Sequence, residues 1–223
     1  MTNLFETILL KRKFILMAEI KIKSPADGIL GNIDDVEKIA MEYMRGGTDV
    51  ISVVVESKYF GGNPEMIARV KKTVSLPVFA KDFVTIESQV EKSKNAGADA
   101  ILLLANLVSK EKMITLYKKT ENLGITAVVE VDSEDSAETA IFEKYPVIAE
   151  NARNLRNFSI NRKKAKEIIK MIPRNRVALA FSGVRNKEDV SEYLNTGARG
   201  VLIGTTLMKT DKKADFLSGV RDL

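Results

Sequence analysis

The sequence reads as one α/β domain, a closed (β/α)8 barrel, on three observations. Short apolar, β-branched runs alternate with stretches of helical spacing to the end of the chain; the runs number eight; and no Gly-x-Gly-x-x-Gly turn follows the first of them, as a doubly wound nucleotide-binding sheet would carry. A length of 223 residues suits a single barrel of this kind, and a hydrophobic fraction of 45% is enough for a sizeable core. No stretch rich in Pro, Gly or Ser divides the chain.

In order, strands are expected at Phe14 to Ile22, Val50 to Val55, Pro77 to Ala80, Ala100 to Leu104, Ala127 to Val131, Val147 to Asn151, Val177 to Phe181 and Gly200 to Ile203. Helices are expected between them at Asp34 to Arg45, Pro64 to Thr73, Glu87 to Asn95, Lys110 to Leu123, Glu134 to Lys144, Arg162 to Met171 and Asn186 to Leu194, with a last one near Lys212 to Val220. Gly46, Gly47, Gly97, Gly124 and Gly197 fall just past helix ends, where a chain turns back into the next strand. Residues 1–13 form a short helical extension, with Leu4, Ile8 and Leu9 at helical spacing, and residues 14–223 form the barrel.

Composition narrows the chemistry. The chain has neither His nor Cys, which removes imidazole bases, thiol nucleophiles, disulfides and zinc sites built on nitrogen or sulfur. Acid–base work must fall to Lys, Arg, Asp, Glu, Asn, Ser, Thr or Tyr. The net charge of +5 is spread along the chain, which suits an acidic small molecule better than a nucleic-acid surface, and clusters such as Arg162-Lys163-Lys164 read as solvated faces. No apolar stretch approaches the roughly 20 residues of a membrane span, and the amino terminus lacks a signal-peptide pattern, so a cytoplasmic protein is expected.

Polar residues recur where a core should be. In Ala18-Glu19-Ile20-Lys21-Ile22-Lys23 alternation puts Glu19, Lys21 and Lys23 on one face and the apolar residues on the other. Alone, such a segment reads as an edge strand with one solvated face. It is not alone: Lys81 follows an apolar run at the third strand's end, Glu130 lies in the apolar fifth, and Asn151 and Arg153 follow the sixth. Polar groups at the carboxyl ends of several barrel strands mark an active site. A lysine buried there, beside another cation, is prone to a lowered pKa. The seventh and eighth strands end in small turns, Ser182-Gly183 and Gly204-Thr205-Thr206, where this fold commonly receives a phosphate on backbone N–H groups.

These segments, with Ser52 to Gly62 and Leu76 to Phe83, resemble the indole-3-glycerol-phosphate synthase family of tryptophan biosynthesis from about Ile15 to Lys209. The resemblance implies a TIM-barrel carboxy-lyase that closes the indole ring of 1-(2-carboxyphenylamino)-1-deoxyribulose 5-phosphate, releasing carbon dioxide and water without metal or organic cofactor. It implies Lys81 as general acid, Glu130 as the carboxylate for the opposite proton transfers with Glu19 beside it, Lys21 as a second lysine holding the substrate carboxylate, and Asn151 as an orienting amide. Lys23, Ser24, Arg153, Ser182, Gly183, Gly204 and Thr205 would bind the substrate's anionic groups, and Phe60, Phe83 and Leu155 its aromatic ring. The partner is then an anionic small molecule, not nucleic acid or membrane; the protein is a monomer or touches other enzymes of the pathway.

Three departures stand out. Phe181 occupies the place of a family glutamate, removing a counter-charge from Lys81 and Lys21. Glu150 replaces an apolar residue, and alternation points it away from Asn151's face, so it does not stand in for that glutamate. The segment before the first strand is short, whereas the family's extension covers the barrel mouth; residues 1–13 would supply a reduced cover. Two readings stay open on the sequence: an active synthase, or a phosphate-binding barrel that has lost catalysis and serves binding or assembly.

Overall fold

The computed structural model describes residues 3–155 and 157–223. Eight parallel strands close into a barrel: β1 (Ile15–Ile20), β4 (Val50–Val54), β5 (Val78–Lys81), β6 (Ala100–Leu104), β7 (Thr126–Val131), β8 (Val147–Asn151), β9 (Val177–Phe181) and β10 (Gly200–Ile203), with β10 pairing back onto β1. The remaining two-residue strands, β2 (Lys23–Ser24) and β3 (Gly28–Ile29), make an antiparallel ribbon above the mouth.

Helices α2 (Val36–Arg45), α3 (Glu65–Thr73), α4 (Glu87–Asn95), α5 (Lys110–Asn122), α6 (Glu134–Phe142), α7 (Arg162–Met171), α8 (Lys187–Thr196) and α10 (Lys213–Arg221) ring the barrel, and α9 (Thr205–Lys209) is a short turn at the mouth. Side chains start and stop them as chemistry dictates. Asn186 accepts the Asp189 N–H at the start of α8, and Gly197, at φ +114°, ends it in a left-handed conformation that a β-carbon would oppose. Among the described residues no helix is long and apolar enough to cross a membrane.

Strand alternation sorts the core into two clusters. Leu16, Ala18, Ile20, Ile51, Val53, Ile101 and Leu103 face the helices, while Ile15, Met17, Val50, Phe79, Leu102, Val128, Leu179, Phe181 and Leu202 fill the barrel. Glu19 lies in register with Ser52 and Glu130 with Leu104, so the charged residues form the topmost inward layer over an apolar interior. Each large apolar side chain so buried contributes about 1.5–3 kcal/mol.

Two expectations need correction. The first strand leaves the barrel after Ile20 instead of reaching Ile22, because the Ile22 carbonyl turns to accept the N–H groups of Leu30 and Gly31 below the ribbon. The amino-terminal helix α1 (Leu4–Lys11) lies at the other end of the barrel from the mouth. Its Phe5 and Leu9 join the interior cluster, Arg199 at the amino end of β10 donates to the carbonyls of Leu9 and Arg12 at 2.7 Å each, and Asn3 donates to Thr126 at the start of β7 at 2.9 Å. The reason is steric and apolar: Phe5 is fully buried at the barrel floor, packed on Phe79 of the interior cluster. Met1 and Thr2 of the expected extension lie outside the described residues.

Beside this floor, Asp49 precedes β4. It accepts the Leu16 N–H at 2.8 Å, pairs with Arg12 Nε at 2.8 Å, and also meets Arg221.

Candidate active site

Four strands deliver the charged layer. Glu19 of β1 is 4% exposed and shared by two ammonium groups: Oε1 lies 3.0 Å from Lys21 Nζ and Oε2 lies 3.0 Å from Lys81 Nζ. Lys21 also donates to Thr205 Oγ1 at 3.2 Å. Across the barrel Asn151 of β8 donates through Nδ2 to Glu130 Oε1 of β7 at 2.9 Å, while its own Oδ1 accepts the Arg153 N–H at 3.0 Å. Oε2 of Glu130 is buried with no hydrogen-bond partner among the described residues, which leaves one oxygen free to take a proton.

The electrostatics follow from this packing. Burial opposes ionisation of Glu19, but the charges of Lys21 and Lys81 outweigh it and bring the group down to about 2. Burial also works against the Lys81 ammonium, yet Glu19 and then Glu130 more than offset it, so Lys81 is held above the ordinary lysine value. This reverses the expectation of a lowered lysine: two carboxylates face it, and they decide the sign. Burial pushes Glu130 up, against the pull of Lys81 and Asn151. Asn151 accordingly fixes the carboxylate of a group that is a better base than an exposed glutamate.

The layer floors a cavity of about 300 Å³. Phe60, Phe83 and Leu155 stand on its apolar side with Leu102 and Leu104, and Phe60 and Phe83 meet edge to face at 6.1 Å. Ser24, Arg153, Ser182, Gly183, Gly204 and Thr205 all reach the wall. Lys23 does not: its stem lies along Gly61, and its backbone N–H donates to the Phe60 carbonyl. Ser182 sits at φ +68° and Gly183 at +79°, a left-handed pair on the cavity wall; Tyr193 OH donates to the Ser182 carbonyl and Thr206 to that of Val184, holding the turn. Gly204 is required by contact, since a β-carbon there would lie 2.3 Å from Glu19 Oε1.

Several wall residues were not singled out in the sequence. Asp27, Glu56 and Asp82 are there, so the mouth is not uniformly cationic. Each is occupied locally. Glu56 accepts the N–H groups of Lys58, Tyr59 and Phe60, which folds the loop carrying Phe60; Asp82 is held by Gln89 and the Phe83 N–H; Asp27 pairs with Ser24 and with Lys209 at 2.6 Å. A carboxylate followed by three residues of a tight turn is the only local signal for Glu56. Glu150 lies outside the cavity, as alternation requires, buried on the helix side of β8.

A closed (β/α)8 barrel with paired lysines and glutamates at the carboxyl ends of its strands defines a class, the barrel enzymes that work by acid–base catalysis at the mouth. Solved structures agree on the fold: a 3-hexulose-6-phosphate synthase superposes with a TM-score of 0.73 over 93% of this chain and 98% of its own, and a thiamine phosphate pyrophosphorylase from Pyrococcus furiosus with 0.66 over 96% of each, both at 16% identity. A family model described as Indole-3-glycerol phosphate synthase matches residues 2–220. Curated relatives of that name are 40% identical in Sulfurisphaera tokodaii, over 90% of this chain and 81% of the relative, and 36% identical in Caldanaerobacter subterraneus subsp. tengcongensis, over 97% and 85%. The chain belongs to the indole-3-glycerol phosphate synthase family and is a carboxy-lyase of tryptophan biosynthesis, a family whose substrate is phosphorylated and anionic.

Proposed function

We propose that the mouth carries out indole ring closure on 1-(2-carboxyphenylamino)-1-deoxyribulose 5-phosphate, with Lys81 as acid and Glu130 as base. The single observation that carries this division of labour is the bridging of Glu19 to both lysines at 3.0 Å, opposite a Glu130 with an oxygen unpartnered among the described residues. The ring carbon bearing the carboxylate attacks the ribulose carbonyl. A carbon–carbon bond forms, the carbonyl π pair goes to oxygen, and that oxygen takes a proton from the Lys81 ammonium. An alkoxide is a much stronger base than an amine, so even a lysine held above its ordinary value gives up the proton readily.

Carbon dioxide then departs, and its bonding pair restores the aromatic ring. In the last stage the new hydroxyl leaves as water with a second proton, and Glu130 removes the proton from the carbon beside nitrogen as the indole double bond forms. Two protons are delivered and one is taken, so each turnover draws one from solvent, matching the negative charge lost with the carboxylate. Acid and base stand on separate strands of the mouth, β5 and β7, with one strand between them, so each can reach a different atom of one bound substrate.

In this reading Lys21 and Arg153 receive the substrate carboxylate, the Ser182-Gly183 and Gly204-Thr205 turns receive the phosphate, and Phe60, Phe83 and Leu155 flank the aromatic ring. Residues 14–223 are the catalytic unit, working in the cytoplasm on a free small molecule. Incubating the protein with this substrate should generate indole absorbance and fluorescence, and the chain has no tryptophan to obscure the signal. A folded sample that makes no indole at any pH across a series rejects the reading.

A further inference from the structure

Phe181 is fully buried at the carboxyl end of β9, in register with Asn151 on one side and Leu202 on the other. The Lys81 ammonium lies over its ring, 4.9 Å from the centroid. The same ring packs on Phe79 at 6.0 Å, and Phe79 on Phe5 of α1 at 6.1 Å, so an aromatic column runs from the floor helix up to the ammonium.

We propose that Phe181 is a seat for the Lys81 ammonium, a positioning residue that holds the acid at the cavity floor by its ring face. The proposal rests on the reading of Lys81 as the proton donor. The reasoning is about where an N–H can go. An ammonium has three, and Glu19 Oε2 takes one at 3.0 Å. A carboxylate at position 181 would take a second and draw it away from the cavity. A ring face attracts the same charge without accepting the proton, and its attraction does not depend on which N–H points at it.

The ammonium can therefore turn a proton toward the substrate while staying in place. The charged groups facing Lys81 are Glu19 from β1, Glu130 from β7 and Arg153 after β8; position 181 adds no further charge. Because Phe79 and Phe5 support the ring from below, it cannot drop away when the ammonium moves.

The test replaces Phe181 by mono-, tri- and pentafluorophenylalanine, which drain the negative potential of the ring face at nearly constant shape. The expected result is a stepwise fall in kcat, reaching about 5- to 30-fold for the pentafluoro ring, the range a desolvated cation–π attraction implies, with KM within twofold and the melting temperature retained. Phe181→Leu, apolar but without a ring face, should lose at least as much kcat. A flat kcat across the fluorinated series in an active enzyme overturns the seat and leaves Lys81 as the acid. An inactive parent protein overturns the acid reading and the seat with it.

Discussion

The two ends of the barrel are built on one device and put it to different uses. At each end a buried carboxylate is shared by two cations: Glu19 by Lys21 and Lys81 at the mouth, Asp49 by Arg12 and Arg221 at the floor. At the floor the cations are guanidiniums, which keep their protons at any working pH, and the Leu16 N–H completes the shell. At the mouth they are ammoniums, compact charges that swing on four-carbon stems and can release a proton. The same ion triad is thus a clamp when built from arginine and, on the proposed mechanism, an acid when built from lysine. The choice of cation, more than the carboxylate, separates structure from chemistry.

The largest effect should come from erasing the difference. Lys81→Arg keeps the charge and removes the transferable proton, and Lys81→Ala removes both; each should lower kcat by about 10³-fold or more, while calorimetric titration still shows substrate binding. Normal turnover in either variant would reject Lys81 as the acid. Next, Asp49→Ala leaves two guanidiniums and a backbone N–H without their acceptor, and should lower the unfolding free energy in urea by about 2–4 kcal/mol, the solvent exposure of Arg12 keeping it below the fully buried case. The activity per folded molecule should not change, which is the sharpest statement of the contrast.

Gly204→Ala presses a methyl group onto Glu19 and should displace it from both lysines, costing about 10²-fold in kcat with an unaltered circular dichroism spectrum. The smallest effect concerns Glu150, a buried carboxylate that belongs to neither triad and whose Oε2 finds no partner among the described residues. Burial first, and the charge of Glu130 second, push it up from 4.5 to about 8. Between those values the folded state keeps a proton that the unfolded chain has lost, so this group makes stability fall as pH rises from about 4.5 to about 8. Glu150→Gln should flatten that fall and stabilise the protein at pH 8 by about 1–3 kcal/mol, read from melting temperatures across the pH range. A parallel decline in parent and variant would contradict it.

Much of this was legible in the sequence because period two carries it. Alternation alone places Glu19 inward and Ala18 and Ile20 outward, and it separates Asn151 in the cavity from Glu150 behind the strand. What escaped depends on chain segments distant in sequence. A two-residue ribbon has no period to read, so the turn at Ile22 leaves no signal and alternation alone carries Lys23 on to the mouth. The place of α1 depends on an apolar floor that Phe79 helps to form and on Arg199 and Thr126, all far from it in sequence. The sign of the shift at Lys81 depends on two carboxylates from other strands, and a loss of charge at Phe181 gave no hint that the ring would lie under the ammonium.

The ribbon over the mouth is tied to α9 by the Asp27–Lys209 pair, whose lysine is more than half exposed to water. A latch of that kind is held by an attraction that dissolved ions screen over about 8–10 Å at ordinary ionic strength. Ser24, at the same tip, forms part of the cavity wall. The tie that holds this part of the cavity wall is therefore one that added salt weakens, unlike the buried ion pairs of Glu19 beneath it.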